Sequence, residues 1–238
     1  MKPKAFMRNQ LLSQFLNLCF NPYLLLILSV ISIIASITDS RPIVEVFVIG
    51  LLTMIMILIA LRDIRNGHLV VSKRILVLFI ILIAISLLLD VGFYLSTQSF
   101  ELKPVFRTGA MLIRLSIFAY GLRTLARTLA MRQKVTDRTI VTALVGYLFI
   151  GIIYSFGYYL FWQSDPKAFH ISVVEDYEFQ PWNLAMYFSF LTLTTVGYGD
   201  IVPVNRWVMA LSIFEAITGS AYLTVIIARL VSLFSTTE

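Results

Sequence analysis

Long apolar runs separated by short polar loops dominate the sequence. Six of these runs approach the roughly 20 residues that a helix needs to cross the hydrocarbon core of a membrane. They lie at residues 22–37, 43–61, 75–95, 105–126, 140–162 and 207–234. The first run is short, and Ala35-Ser36 near its end leaves a cleaved signal peptide open as an alternative. The pattern predicts an all-α membrane protein with six transmembrane helices.

A shorter aromatic run, Pro181 to Leu193, lies between the last two long segments. It is too short to cross the membrane, and its leading proline suits the first turn of a helix. Helical backbone that re-enters the membrane is tolerated only when protein buries it or when it lines water. We therefore predict a re-entrant pore helix, followed by a loop that begins at Thr194.

Composition and charge support a membrane protein and indicate its orientation. Of the 238 residues, 59% are hydrophobic and 13% are charged, and the net charge is +6. Most basic residues fall on one predicted side of the membrane, which makes this side cytoplasmic and places both termini there. We expect no enzyme, because neither the two histidines nor the one cysteine has metal-ligand or catalytic spacing. The net charge follows from membrane orientation, so no nucleic-acid partner is expected.

The loop after the pore helix reads Thr194-Thr195-Val196-Gly197-Tyr198-Gly199-Asp200. A pore that replaces the hydration shell of an ion needs several consecutive backbone carbonyls aimed at one axis. Glycine adopts the required backbone angles at little cost, and here two glycines alternate with larger residues. A Gly-x-Gly pattern alone also suits a turn or a dinucleotide loop. A dinucleotide loop would follow a strand and open a helix with a third glycine, and the sequence has neither.

This heptapeptide resembles the signature of potassium channels, and it stands without a substitution. The resemblance implies a homotetramer with the filter on its fourfold axis, because each chain supplies one filter strand. It also implies a selectivity filter of five residues, of which the first four bind K+ through backbone carbonyls: Thr195, Val196, Gly197, Tyr198 and Gly199. We expect four further residues to support the filter: Thr194, Asp200, Tyr187 and Phe188.

The last apolar segment contains two residues of interest. Glu215 places a carboxyl group inside a predicted membrane helix. Because such a group is costly there, a functional role is the default hypothesis, and a purely structural role is the alternative. Gly219 falls about where related channels place a hinge glycine, although close helix packing explains it equally well. By the same resemblance, Ser220, Leu223 and Ile227 would face the central cavity.

Six segments with the filter before the last resemble the layout of voltage-gated channels. Residues 1–126 are accordingly predicted as a four-helix voltage-sensor-like domain, residues 127–139 as a cytoplasmic amphipathic linker and residues 140–238 as the pore domain. The arginines of the fourth segment are irregularly spaced, and only Arg114 would lie deep. One charge that crosses the membrane field is worth about 2.3 kcal/mol per 100 mV, so voltage dependence should be weak or absent. A static pair of Arg114 with Asp90 explains both residues; a working sensor is the alternative.

The predicted function is passive, potassium-selective conduction through a homotetrameric pore in a cell membrane. The expected contacts are K+ and lipid, with no cofactor besides the transported ion and no domain for a soluble ligand. The alternative is a non-conducting or regulatory subunit that acts with a partner.

Overall fold

The computed structural model describes residues 21–38, 73–95, 102–131, 136–172 and 181–235. These residues are mostly helical. The elements are α1 (Pro22–Thr38), α2 (Lys73–Leu95), α3 (Leu102–Met131), α4 (Asp137–Ser164), β1 (Phe169–Ile171), α5 (Pro181–Leu193), β2 (Ile201–Pro203) and α6 (Arg206–Ser235). The predicted segment at 43–61 lies outside the described residues.

Three helices of the described ranges are long and apolar enough to cross a membrane. They are Val105–Arg127 in α3, Thr139–Ser164 in α4 and Arg206–Ser232 in α6. The membrane character expected from composition is thereby confirmed, whereas the total of six spans stays a prediction.

The helices begin at residues that can satisfy or avoid the free N–H groups of a first turn. The Asn21 side chain accepts a hydrogen bond from the Tyr23 N–H at 3.1 Å, and Pro22 opens α1 between them. The Asn205 side chain does the same for the Trp207 N–H at 2.9 Å. Pro181, which has no N–H to satisfy, opens α5.

The fourth predicted span and part of the predicted linker form one continuous helix, α3, which ends at Met131. No glycine or proline interrupts residues 122–131, which include several strong helix formers. Leu125 and Leu129 are buried on one face, whereas Arg123 and Arg127 are exposed on the other. The amphipathic stretch is therefore the last part of this helix, and α4 already begins at Asp137.

Helix α4 lies at the centre of the described structure, because α1, α3, α5 and α6 all pack against it. The large apolar side chains of α4 are buried among these neighbours, including Phe149, Ile152 and Phe156. Helix α2 packs against α3, and α1 packs against α4 and α5. The first helix thus lies extensively against the pore region, while the four-helix grouping of residues 1–126 stays a prediction.

A two-stranded antiparallel sheet joins the segment after α4 to the segment after the 194–200 loop. Strands β1 and β2 pair Phe169 with Pro203 and Ile171 with Ile201. The Ser172 N–H extends the pairing by donating to the Asp200 carbonyl at 2.8 Å. Strand β1 lies between two predicted helices, where a three-residue strand carries too little alternation to be recognised from the sequence.

Candidate functional site

The stretch from Thr195 to Gly199 alternates in backbone handedness. Positive φ angles occur at Thr195 (61°), Gly197 (50°) and Gly199 (80°), whereas Val196 and Tyr198 have none. In an ordinary strand, successive carbonyls point to opposite sides, but alternating handedness turns successive N–H groups to the same side. The two glycines were expected to supply such angles. Thr195 was not, because a β-branched residue rarely adopts a positive φ.

The end of α5 holds the first half of this stretch through its free carbonyls. The Thr195 N–H donates to the Thr192 carbonyl at 3.0 Å. The N–H groups of Val196 and Gly197 both donate to the Leu191 carbonyl, at 2.9 and 3.3 Å. These bonds use carbonyls that a helix C-terminus otherwise leaves without partners.

The same bonds determine where the carbonyls of the stretch point. In a trans peptide the N–H and the C=O lie in one plane and point in opposite directions. The peptide N–H groups of Thr195, Val196 and Gly197 point back towards α5. The carbonyls of Thr194, Thr195 and Val196, which belong to the same three peptide planes, therefore point away from α5 on one common side.

Asp200 fixes the far end of the stretch. Its Oδ2 accepts a hydrogen bond from the Tyr187 hydroxyl at 2.6 Å, and its Oδ1 accepts one from the Ile201 N–H at 3.0 Å. Burial, followed by the bond to Asp200, raises the pKa of Tyr187 to about 12, so the phenol remains a donor at physiological pH. Tyr187 therefore lies behind the stretch and ties its end to α5.

Phe188 packs among aromatic side chains of α4 and β1. Its ring lies edge-on against Tyr158 and Phe169, with ring centroids 4.8 and 5.3 Å away. Consecutive helical residues project about 100° apart, so Tyr187 and Phe188 face different neighbours. Phe188 therefore anchors α5 to α4 and β1 within an aromatic cluster that also includes Trp162, and its expected support of the filter stays a prediction.

Glu215 is fully buried where α4, α5 and α6 meet. Its Oε2 lies 2.6 Å from the Tyr158 hydroxyl of α4, and its Oε1 lies 2.5 Å from the Ser189 hydroxyl of α5. The same Ser189 oxygen lies 2.7 Å from the Gly151 carbonyl of α4. The carboxyl of Glu215 thus contacts α5 through Ser189, and the choice between a functional and a purely structural role stays open.

Tyrosine hydroxyls of α4 and α6 make further contacts that the sequence reading missed. Tyr147 donates to the Leu193 carbonyl at the end of α5, at 2.8 Å. Tyr154 meets the Thr218 hydroxyl at 3.0 Å, and Tyr222 donates to the Ala143 carbonyl at 2.7 Å. Tyr147, Tyr154 and Tyr158 follow at intervals of seven and four, which places them on one helix face. This spacing was the available signal.

Gly219 lies against the end of α5. A Cβ atom there would be 2.8 Å from the Leu193 Cδ1 and 3.1 Å from its carbonyl oxygen. Helix α6 continues through this position without interruption. Close packing therefore accounts for Gly219 in this conformation. The three residues expected to face a cavity, Ser220, Leu223 and Ile227, are exposed in the single chain.

Arg114 and Asp90 form an ion pair between α3 and α2. Both side chains are largely buried, which is costly for a charge unless it is paired. Nearer the start of α3, the Arg107 guanidinium lies 5.1 Å from the centroid of the Tyr159 ring, and Thr108 contacts Gln163 at 3.5 Å. Two arginines of α3 thus have partners on neighbouring helices.

Comparison with known proteins supports one class for this site. Residues 146–236 match a family model described as ion channel. The matched part contains most of α4, all of α5, the 195–199 stretch and all of α6. The search of curated proteins finds no match to the chain. The family match supports an ion-channel domain with passive ion conduction in this part of a membrane protein, and a channel rather than an enzyme.

Proposed function

We propose that the chain is a subunit of a potassium-selective channel that conducts passively, with the 195–199 stretch as its selectivity filter. The observation that carries the proposal is the alternation of backbone handedness at Thr195, Gly197 and Gly199, together with N–H groups that are bound to α5. This arrangement frees carbonyls on one side of the chain to replace the hydration shell of an ion. K+ would bind the carbonyls of Thr195, Val196, Gly197 and Tyr198, and no other cofactor is proposed.

The proposed channel is a homotetramer, and the single strand of carbonyls in each chain supports an assembly of several copies. One chain supplies one set of carbonyls, whereas an ion needs them all around it. Val196 and Tyr198 have relative solvent exposures of 49% and 74% in the single chain. Much of α6 is exposed and apolar as well. We propose that neighbouring copies cover these surfaces and that Ser220, Leu223 and Ile227 line the cavity between them.

The contacts of α3 support weak or absent voltage dependence. A sensor works only if its charges move through the membrane field. Arg114 is buried in a pair with Asp90, and Arg107 lies over an aromatic ring of α4. Breaking a buried pair costs about 3–5 kcal/mol. In this proposal both termini are cytoplasmic, the mouth of the filter faces outward and α3 remains static.

The test is planar-bilayer recording of the purified protein with potassium on one side and sodium on the other. A reversal potential near that of potassium is expected, and Gly197→Ala should abolish the selective current because Ala resists the positive φ. Gly109→Ala is the matched control, since a Cβ there meets only Leu89, at an ordinary 3.5 Å. A clear sodium current would contradict the proposal. A silent wild type that acquires current with a partner would favour the regulatory-subunit alternative.

A further inference from the structure

The carboxyl group of Glu215 lies in an unusual setting for an acid in a membrane helix. It has 0% exposure, and its two oxygens contact hydroxyls of two other helices. Within the described part of the chain no lysine or arginine lies within salt-bridge distance of it. An unpaired buried carboxylate is strongly disfavoured, so the charge state of Glu215 has to be worked out from its contacts.

Counting hydrogens around Glu215 decides that state. Three oxygen–oxygen contacts of hydrogen-bond length have to be filled: Tyr158 to Glu215, Ser189 to Glu215, and Ser189 to the Gly151 carbonyl. Each hydroxyl supplies one hydrogen and a carbonyl supplies none. Tyr158 and Ser189 therefore fill two contacts, and the third hydrogen must belong to Glu215.

This count gives each group a direction. With the third hydrogen on Glu215, Tyr158 would donate to Oε2, Oε1 would donate to Ser189, and Ser189 would donate to Gly151. Ser155 does not change the count, because it supplies its own hydrogen: its oxygen lies 2.8 Å from the Gly151 carbonyl and 3.4 Å from the Met186 Sδ. The result is a chain of hydrogen bonds from α4 through α6 and α5 and back to α4.

Several titratable groups on the helices that pack around Glu215 are phenols. Tyr158 of α4 contacts Glu215 directly. The other tyrosines of these helices are Tyr147, Tyr154 and Tyr159 on α4, Tyr187 on α5 and Tyr222 on α6. None of them is a cation that could offset a negative charge on Glu215. The arginines of α6 are its first residue, Arg206, and Arg229 in its last two turns.

We propose that Glu215 carries a proton that links α6 to the pore helix α5, and that loss of this proton at alkaline pH weakens the filter support and lowers conduction. The consequence for conduction rests on the proposed function; the position of the proton does not. Without the proton, Ser189 has one hydrogen for two acceptors and turns from Gly151 to the carboxylate. The released proton passes to bulk water, and the Ser189 contact between α5 and α4 is lost.

Infrared spectroscopy of the purified protein tests the position of the proton independently of any current. The difference between wild type and Glu215→Gln at neutral pH should contain the carbonyl band of a protonated carboxylic acid. The band should disappear at alkaline pH. The thermal unfolding temperature of the wild type should already fall as the pH rises from acidic values and should level off where the band has gone, because the carboxyl of the unfolded chain ionises at acidic pH. The unfolding temperature of the variant should not show this fall. A carboxylate signal at neutral pH would overturn the inference.

Two serine variants separate the proton link from general packing. Ser189→Ala removes the acceptor of the Glu215 proton, whereas the matched control Ser155→Ala removes a hydroxyl from the same Gly151 carbonyl without contacting Glu215. Only Ser189→Ala should shift the acid band and alter the loss of stability with rising pH. Equal effects of the two variants would overturn the link.

The third measurement is the current as a function of pH. The wild-type current should fall at alkaline pH, and the Glu215→Gln current should persist, because the amide donates to Ser189 and accepts from Tyr158 at any pH. A wild-type current that does not depend on pH would overturn the link between the proton and conduction. A normal acid band in a protein that passes sodium as readily as potassium would instead overturn the proposed function and leave the proton where it is.

Discussion

Tyr187 is the residue through which the pore helix holds the end of the 195–199 stretch. Its hydroxyl makes a single bond, to Asp200, and Asp200 in turn binds the Ile201 N–H. Hydrogen bonds to charged groups contribute about 1.5–3 kcal/mol. Because this pair is only partly buried, the lower value is the better guide.

We predict that Tyr187→Phe lowers the fraction of time that the channel conducts, because Asp200 loses its tie to α5. The expected loss of free energy is about 1.5 kcal/mol, which is roughly tenfold in the equilibrium between a state with Asp200 bound to α5 and a state without this bond. Single-channel open probability measures this change. Tyr23→Phe is the matched control, since Tyr23 is exposed and lies outside the site. Equal open probabilities in both variants would contradict the role of Tyr187.

Helices α4 and α6 are held together by a row of tyrosine contacts that leaves little free space. The closest approach is at Gly146, where a Cβ atom would lie 2.3 Å from the Tyr222 oxygen. No side chain larger than hydrogen fits there unless Tyr222 moves and gives up its bond to the Ala143 carbonyl.

Gly146→Ala should therefore destabilise the protein by about 1–3 kcal/mol, as overpacked cores do. Adding Tyr222→Phe removes the clashing oxygen, so the double variant should recover part of the loss. Thermal unfolding of the two single variants and the double variant forms a cycle that measures the coupling. Strictly additive losses would show that the two residues do not interact.

Gly219 of α6 can act in two ways, as a site of close packing or as a hinge. A Cβ at this position would press on Leu193 at the end of α5. We predict that Gly219→Ala lowers conduction and that Leu193→Val, which removes the nearest atom, partly restores it. If Gly219 acts only by letting α6 bend, the second substitution should restore nothing. Single-channel recording of the three variants decides between packing and hinge.

At the scale of the whole molecule, the pair between Arg114 and Asp90 joins α3 to α2. Its burial makes each partner depend on the other, because either one alone would be an uncompensated charge. Such a pair stabilises the arrangement of the helices without any need for movement.

We predict that Arg114→Gln or Asp90→Asn alone destabilises the protein by about 3–5 kcal/mol and that the double variant is more stable than either. Thermal unfolding measures the loss, with the exposed Arg123→Gln as control. The conductance–voltage curve of the wild type should be shallow, and neutralising Arg114 should leave it so. A steep curve that flattens in Arg114→Gln would identify a working sensor instead.

The sequence by itself determined the features that depend on local pattern. Apolar runs located α1, α2, α3, α4 and α6, since burial in lipid requires length and hydrophobicity whatever the neighbours are. Proline and the aromatic run defined α5 at its observed bounds, Pro181–Leu193. Gly197 and Gly199 indicated positive backbone φ angles. Glu215 was recognisable as a carboxyl group that is costly in a membrane helix.

The tertiary structure decided what depends on contacts between distant segments. The sequence did not indicate the positive φ of Thr195, whose neighbouring N–H groups bind carbonyls of α5. It also did not indicate the two three-residue strands, which form only because they pair with each other. The tertiary structure also decided that Phe188 packs against Tyr158 of α4, and that Tyr158 and Ser189 converge on Glu215. The physical reason is that periodicity identifies the face of a helix, whereas only packing brings a particular partner to that face.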